Sequence, residues 1–160
     1  MTGMPSIYFE DIEVGRVMSL GATRVTTADI KAYARAFDPQ PLHLDEAAAK
    51  LTMIGRLCAS GWHSCAILTR LVCDGLLLDA ASLGSPGMKE VKFLKPVFPD
   101  EALTGRYTCQ AKRVLKSRPD VGSCQMIFEL LNANGDTLLS WDTTQFMKLR
   151  TPSATAGDTP

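Results

Sequence analysis

Ser60-Gly61-Trp62-His63-Ser64-Cys65-Ala66-Ile67-Leu68-Thr69-Arg70-Leu71-Val72-Cys73-Asp74-Gly75-Leu76-Leu77-Leu78 reads as one long helix. Ser60 and Gly61 open it. Trp62, Cys65, Ala66, Leu68, Leu71, Val72 and Leu76 then cover more than one narrow face. A helix apolar over so much of its circumference is expected to be wrapped by other structure. The mostly apolar run 66–83 also contains Arg70, Asp74 and Asp79. A membrane span needs about 20 mainly apolar residues with few charges, so a buried helix is the reading.

What wraps it lies mainly on the C-terminal side. After the turn Gly84-Ser85-Pro86-Gly87 the hydrophobic period changes. Stretches 88–93, 102–114, 122–131 and 137–148 read as strands. Asn134-Gly135 joins the last two as a hairpin, because both residues tolerate positive φ. The stretch 116–120 reads as a polar turn, and Pro96 and Pro99 bound a kinked loop. On the N-terminal side, 17–25 reads as a strand. Thr27 reads as the N-cap of a helix carrying Ile30, Tyr33, Ala34 and Phe37 at helical spacing, with Asp29 in its first turn. Asp45 caps a short helix through Lys50. Consecutive strands after a long helix predict an α+β chain with an antiparallel sheet. One domain is expected over 1–150, followed by a disordered tail over 151–160.

Composition narrows the function classes. Apolar residues make up 46% of the 160-residue chain, enough for one sizeable core. Seventeen basic and seventeen acidic residues cancel, leaving no excess to neutralise nucleic-acid phosphates and no block drawn to an anionic membrane. Met1 to Glu10 has neither the charge nor the apolar core of a signal peptide, so a cytoplasmic location is expected. Cys58, Cys65, Cys73, Cys109 and Cys124 lack paired ligand spacing, and there are only two histidines. Free thiols are expected, with no metal and no cofactor.

Chemistry concentrates in Asp38-Pro39-Gln40-Pro41-Leu42-His43-Leu44-Asp45. Two prolines stiffen the backbone between a carboxylate and an imidazole five residues apart. Pro39 pushes Asp38 out of helical geometry, and Pro41 does the same to Gln40, so 38–44 is expected to be extended. Positioning is what acid–base groups gain from most. An imidazole exchanges protons near neutrality, and a carboxyl in a partly apolar cleft is expected to have its pKa raised into a useful range. The bland reading of such a segment is a turn aspartate beside a hydrogen-bonded histidine.

These residues resemble the MaoC-like dehydratase family, also called the (R)-specific enoyl-CoA hydratase or hydratase-2 family. Tyr33 stands at the family's aromatic position, Asp38, Pro41, Leu42 and His43 match its central motif, and Ala49 matches a small residue beyond it. Phe37 and Gln40 depart, replacing the usual glycine and asparagine. Phe9-Glu10-Asp11-Ile12-Glu13-Val14-Gly15 is similar to the family's opening, and Val91-Lys92-Phe93-Leu94-Lys95-Pro96-Val97 to its strand after the central helix. Gly55-Arg56-Leu57-Cys58-Ala59-Ser60-Gly61-Trp62 is similar to the entry into that helix, where Ser60 replaces a common histidine.

The resemblance spans roughly residues 8 to 150. It implies a single hot-dog fold, a curved antiparallel sheet wrapped around a long central helix. It also implies a hydratase or dehydratase acting on an acyl thioester of coenzyme A or acyl carrier protein. Asp38 and His43 are then the catalytic pair, with His43 as base and Asp38 as proton donor in the hydration direction. Gly61 is the candidate donor to the enolate oxygen through its N–H, because amides at a helix start lack partners. Gln40 and Ser60 are further candidate substrate-site residues, although a turn amide and a helix N-cap are their plain readings. His63 is expected to be a packed or capping residue, and Trp62 and Phe37 to line a core or acyl pocket. A homodimer or higher homo-oligomer is implied by fold, with the acyl pocket at the subunit interface. The alternatives are a hot-dog acyl-CoA thioesterase and a non-catalytic acyl-binding partner subunit.

Overall fold

The computed structural model describes residues 4–152. The expected tail therefore lies outside the described residues except for Thr151 and Pro152, which are exposed. The chain opens with a 3-10 turn at Phe9–Asp11 and strand β1, Val17–Arg24. Helices α1, Thr27–Phe37, α2, Pro41–Leu44, and α3, Glu46–Lys50, follow. The long helix α4, Gly61–Val72, widens into a π-helical stretch at Cys73–Leu77. Five strands complete the fold: β2, Ser82–Gly84, β3, Met88–Phe93, β4, Ala102–Leu115, β5, Arg118–Asn132, and β6, Thr137–Lys148.

The six strands form one sheet in the order β1-β4-β5-β6-β2, with β3 also paired to β6. Every named pairing is antiparallel. The long strands β5 and β6 alternate between buried and half-buried residues, as a pleated strand with one face on a core must. Their buried set includes Met126, Phe128, Leu130, Leu139, Trp141 and Met147. Ile30, Leu68, Leu71 and Leu76 belong to the same hydrophobic cluster, so the sheet closes over α4 as the sequence predicts. The result is a curved antiparallel sheet around one long helix, the hot-dog arrangement.

Close approach of helix and sheet depends on glycine at one point in particular. A β-carbon on Gly75 would lie 2.8 Å from the Cα and 2.8 Å from the carbonyl oxygen of Leu20 on β1. Those are backbone atoms, which have nowhere to go. The β5–β6 turn is closed by the Gly135 N–H donating to Asn132 O at 3.0 Å, with Gly135 at φ 82°.

Several local expectations need correction. The N-cap of α1 is Thr26, one residue before Thr27; it accepts from Asp29 N–H, and Asp29 returns a bond to Thr26 N–H in a capping box. The segment 38–44 is not extended throughout: Pro41–Leu44 makes one helical turn. Proline is well suited to the first helical position, where its fixed φ is already helical and its missing N–H is not needed. Strand β2 has no legible signature in the sequence, because three residues carry too little period to register. Strand β5 begins at Arg118, so the turn before it is shorter than 116–120. No helix among the described residues is long and apolar enough to cross a membrane.

Candidate active site

Helix α1 ends because Pro39 follows Asp38. Asp38 takes φ −150° and ψ 70° while its N–H still donates to Ala34 O at 2.9 Å. Its carboxylate therefore leaves the helix end sideways. Gln40 is extended at φ −74° and ψ 140°, and its carbonyl accepts from His43 N–H at 3.0 Å. The single turn of α2 then carries the imidazole back beneath the carboxylate. His43 is 6% exposed, so its contacts are made almost wholly with protein.

His43 Nδ1 lies 2.8 Å from the carbonyl oxygen of Cys58. A carbonyl only accepts, so Nδ1 carries the proton and Nε2 presents its lone pair in the neutral ring. Nε2 lies 3.6 Å from Asp38 Oδ2. That is longer than a hydrogen bond, which leaves both atoms able to face a third group. Ser60 Oγ donates to the same Oδ2 at 2.6 Å, and Gln40 Nε2 donates to Oδ1 at 2.7 Å. The Cys58–Ser60 segment is itself tied down by Ala59 N–H donating to Val97 O at 2.8 Å.

These donors decide the charge on Asp38. The hydrogen bond from Ser60, then that from Gln40, hold the carboxyl below its ordinary range; burial opposes them and the nearby imidazole assists. The expected upward shift from an apolar cleft is therefore reversed, because two strong donors outweigh partial desolvation. The Cys58 thiol, 3.9 Å from His43 Nδ1, is pushed up by burial. It behaves as the small buried side chain the sequence suggests.

The structure brings Asp38, Gln40, His43, Ser60 and Gly61 to one cleft of about 450 Å³. Ser60 combines two roles: it caps α4 by accepting from Trp62 N–H at 3.3 Å, and it holds Asp38. Gln40 contacts Asp38 rather than the imidazole ring. Gly61 begins α4, where N–H groups have no intrahelical acceptor. It also packs under Phe93, whose ring would lie 2.8 Å from a β-carbon at that position. Trp62 lines the cleft and meets Phe93 edge to face at 5.8 Å. Phe37 is 74% exposed and so belongs to no core. His63 does not line the cleft; it is buried and stacked on Tyr33 with ring centroids 4.4 Å apart.

Sequence reasoning missed two participants. The Cys58 carbonyl is a backbone group with no residue signature. Phe93 sits on a strand more than thirty positions from Gly61 and is linked to it only by the fold.

Comparison with known proteins agrees with this fold. The family described as MaoC like domain matches residues 12–125. A protein of Bacillus subtilis (strain 168), YdeM, is 33% identical over 95 residues, 59% of this chain and 67% of that one. A MaoC-like dehydratase from Rhodospirillum rubrum superposes with TM-score 0.85 at 35% identity, over 91% of this chain and 99% of that one. The R-hydratase PhaJ1 from Pseudomonas aeruginosa shares the fold at TM-score 0.70 and 19% identity, over 94% and 97% of the two chains.

Proposed function

This chain belongs to the MaoC-like dehydratase family, and from that premise we propose that it adds and removes water across the α,β double bond of an acyl thioester, with Asp38 and His43 as its acid–base pair. The observation that carries the reading is the 3.6 Å approach of Asp38 Oδ2 and His43 Nε2 at a cleft that also takes in the start of α4. The thioester is that of coenzyme A or acyl carrier protein.

The chemistry balances with one transferable proton on the pair. In dehydration, the Asp38 carboxylate takes the proton next to the thioester carbonyl. The electron pair forms the α,β double bond, and the β-hydroxyl leaves as water with the proton from His43 Nε2. The pair then holds its proton on Asp38, and its return to Nε2 across the short gap resets the site. Hydration is the reverse: His43 takes a proton from water and Asp38 protonates the α-carbon. The lowered carboxyl pKa suits the dehydration starting state, in which Asp38 is ionised. Negative charge developing on the thioester oxygen is met by the Gly61 N–H and the positive end of the α4 dipole.

The proposed assembly is a homodimer. Trp62, Phe93 and Leu94 line the cleft and are 61%, 53% and 52% exposed in the single chain, an apolar rim suited to cover by a second copy.

Crotonyl-CoA tests the reaction. Loss of the enoyl absorbance without release of free thiol is expected. Thiol release without loss of the double bond would replace the hydratase with a thioesterase.

A further inference from the structure

We propose that Phe93, backed by Trp62, is a specificity-determining residue for the reaction: its ring walls water off from the thioester carbonyl, so that water adds across the double bond and does not hydrolyse the thioester. The inference rests on the contact between the thioester oxygen and Gly61 N–H proposed above.

Three ring atoms of Phe93 crowd one face of Gly61. A β-carbon there would lie 2.8 Å from Cε1, 2.9 Å from Cδ1 and 3.2 Å from Cζ. With only hydrogen on that face, the ring lies directly against the Gly61 Cα, one bond from the N–H. Trp62, the next residue, meets the same ring edge to face at an interplanar angle of 81°. Both side chains line the cleft that Asp38 and His43 line. Phe93 is half-exposed, so its inner edge touches the helix start while its outer edge meets solvent.

The backbone that carries the ring is anchored. Phe93 is the last residue of β3 and pairs with Leu139 on β6. The next two N–H groups, of Leu94 and Lys95, both donate to Leu138 O, at 2.9 and 3.1 Å. Lys95 Nζ pairs with Asp136 Oδ2 at 2.9 Å in the β5–β6 turn.

The wall separates two fates of one substrate. Hydration needs water at the β-carbon, beside Asp38 and His43. Hydrolysis needs water at the carbonyl carbon, which a helix-start donor activates by drawing charge onto the oxygen. In that step the water oxygen bonds the carbonyl carbon and the C–S bond breaks. The sulfur leaves with the electron pair and takes up the proton that water gives up, so water is the one co-reactant. An oxyanion donor beside an acid–base pair would serve hydrolysis as well. An aromatic ring at the carbonyl end excludes the water that hydrolysis requires. Its truncation to a methyl group frees more than the ~30 Å³ that one water occupies in the liquid.

The test compares initial rates with crotonyl-CoA for the full-length protein and for Phe93→Ala, Phe93→Leu and Trp62→Ala. The hydrated thioester is measured by chromatography and free thiol by a thiol-reactive dye. The readout is the ratio of thiol released to water added, because that ratio does not depend on the fraction of folded enzyme. In Phe93→Ala it is expected to rise about tenfold. Phe93→Leu keeps apolar bulk at the wall and should stay near the unaltered ratio. Trp62→Ala leaves the ring and removes its support, so an intermediate rise is expected. An unchanged ratio in Phe93→Ala, or loss of hydration there without thiol release, would overturn the proposal. Should Phe93→Ala fail to fold, Trp62→Ala decides at an exposed position, and an unchanged ratio there has the same consequence. Absence of hydration by the unaltered protein would instead defeat the proposed reaction, so the two failures are distinct.

Discussion

His43 donates through Nδ1 to the carbonyl oxygen of Cys58, a bond of 2.8 Å between a side chain on α2 and the backbone strap that leads into α4. This bond selects the tautomer. It also fixes the ring so that Nε2 faces Asp38. The strap is held in turn by Ala59 N–H on Val97 O, so the imidazole is referenced to the β3–β4 loop as well as to the helix entry.

Removing either member of the proposed acid–base pair tests it directly. Asp38→Asn keeps the size of the side chain and removes the group proposed to protonate the α-carbon in hydration. His43→Ala removes the proton carrier. General acid–base groups contribute roughly 10²- to 10⁴-fold, so each variant should lose turnover on that scale in steady-state assays with crotonyl-CoA. The double variant should lose little more than the worse single one, because the two groups act as a unit. Additive losses would mean that the residues act independently.

Ser60→Ala should affect both activity and stability. The lost N-cap costs about 1 kcal/mol, readable in urea denaturation. The lost donor to Asp38 Oδ2 should let the carboxyl titrate higher, so the acid limb of the dehydration rate profile moves upward. The sign follows from the hydrogen bond: it favours the ionised carboxylate, and without it more acid-side activity is lost at a given pH. An unmoved limb would reduce Ser60 to a cap.

The main features of fold and site were legible in the sequence for a physical reason. The helix over 61–72 and the strands over 88–93 and 137–148 are long enough to show their hydrophobic period. The Asn134-Gly135 turn is readable from backbone freedom, although only Gly135 of the two takes a positive φ. Asp38 and His43 stand out because prolines at 39 and 41 leave the chain few other conformations. What was not legible is mostly relational. Whether burial or donors control Asp38 depends on Ser60, twenty-two residues away, and only the fold brings the two together. The single helical turn at Pro41–Leu44 depends on whether a proline ends one element or begins the next, which its own sequence leaves open.

Two glycines make opposite predictions. Gly75→Ala would force a β-carbon to within 2.8 Å of the Leu20 backbone, so overpacking should cost about 1 to 3 kcal/mol or more in thermal or urea unfolding. Gly61→Ala meets the Phe93 ring at the same distance, but that ring is half-exposed and free to swing away. Its cost should fall on turnover, through the displaced ring and the narrowed approach to the helix-start amide, with a smaller change in Tm. A Gly61→Ala protein with normal kcat/KM would remove the helix start from the proposed oxyanion contact.

His63 predicts a pH dependence of stability that is separate from the chemistry. It is buried, its Nδ1 has no hydrogen-bond partner among the described residues, and its ring stacks on Tyr33 at an interplanar angle of 3°. Burial lowers its pKa from the ordinary 6.5, with Asp29 opposing weakly. Below 6.5 the unfolded chain therefore binds a proton that the folded one resists. Stability should be full above that pH and should fall as the pH drops from it toward the lower folded value. His63→Phe keeps an aromatic face for Tyr33 and removes both the orphaned nitrogen and the titration. Urea midpoints between pH 7.5 and pH 5 should decline less in His63→Phe than in the unaltered protein, since the shared carboxylate contributions cancel in the comparison. Parallel declines would show that the folded protein accommodates a charged His63, and that the orphaned nitrogen is satisfied on protonation.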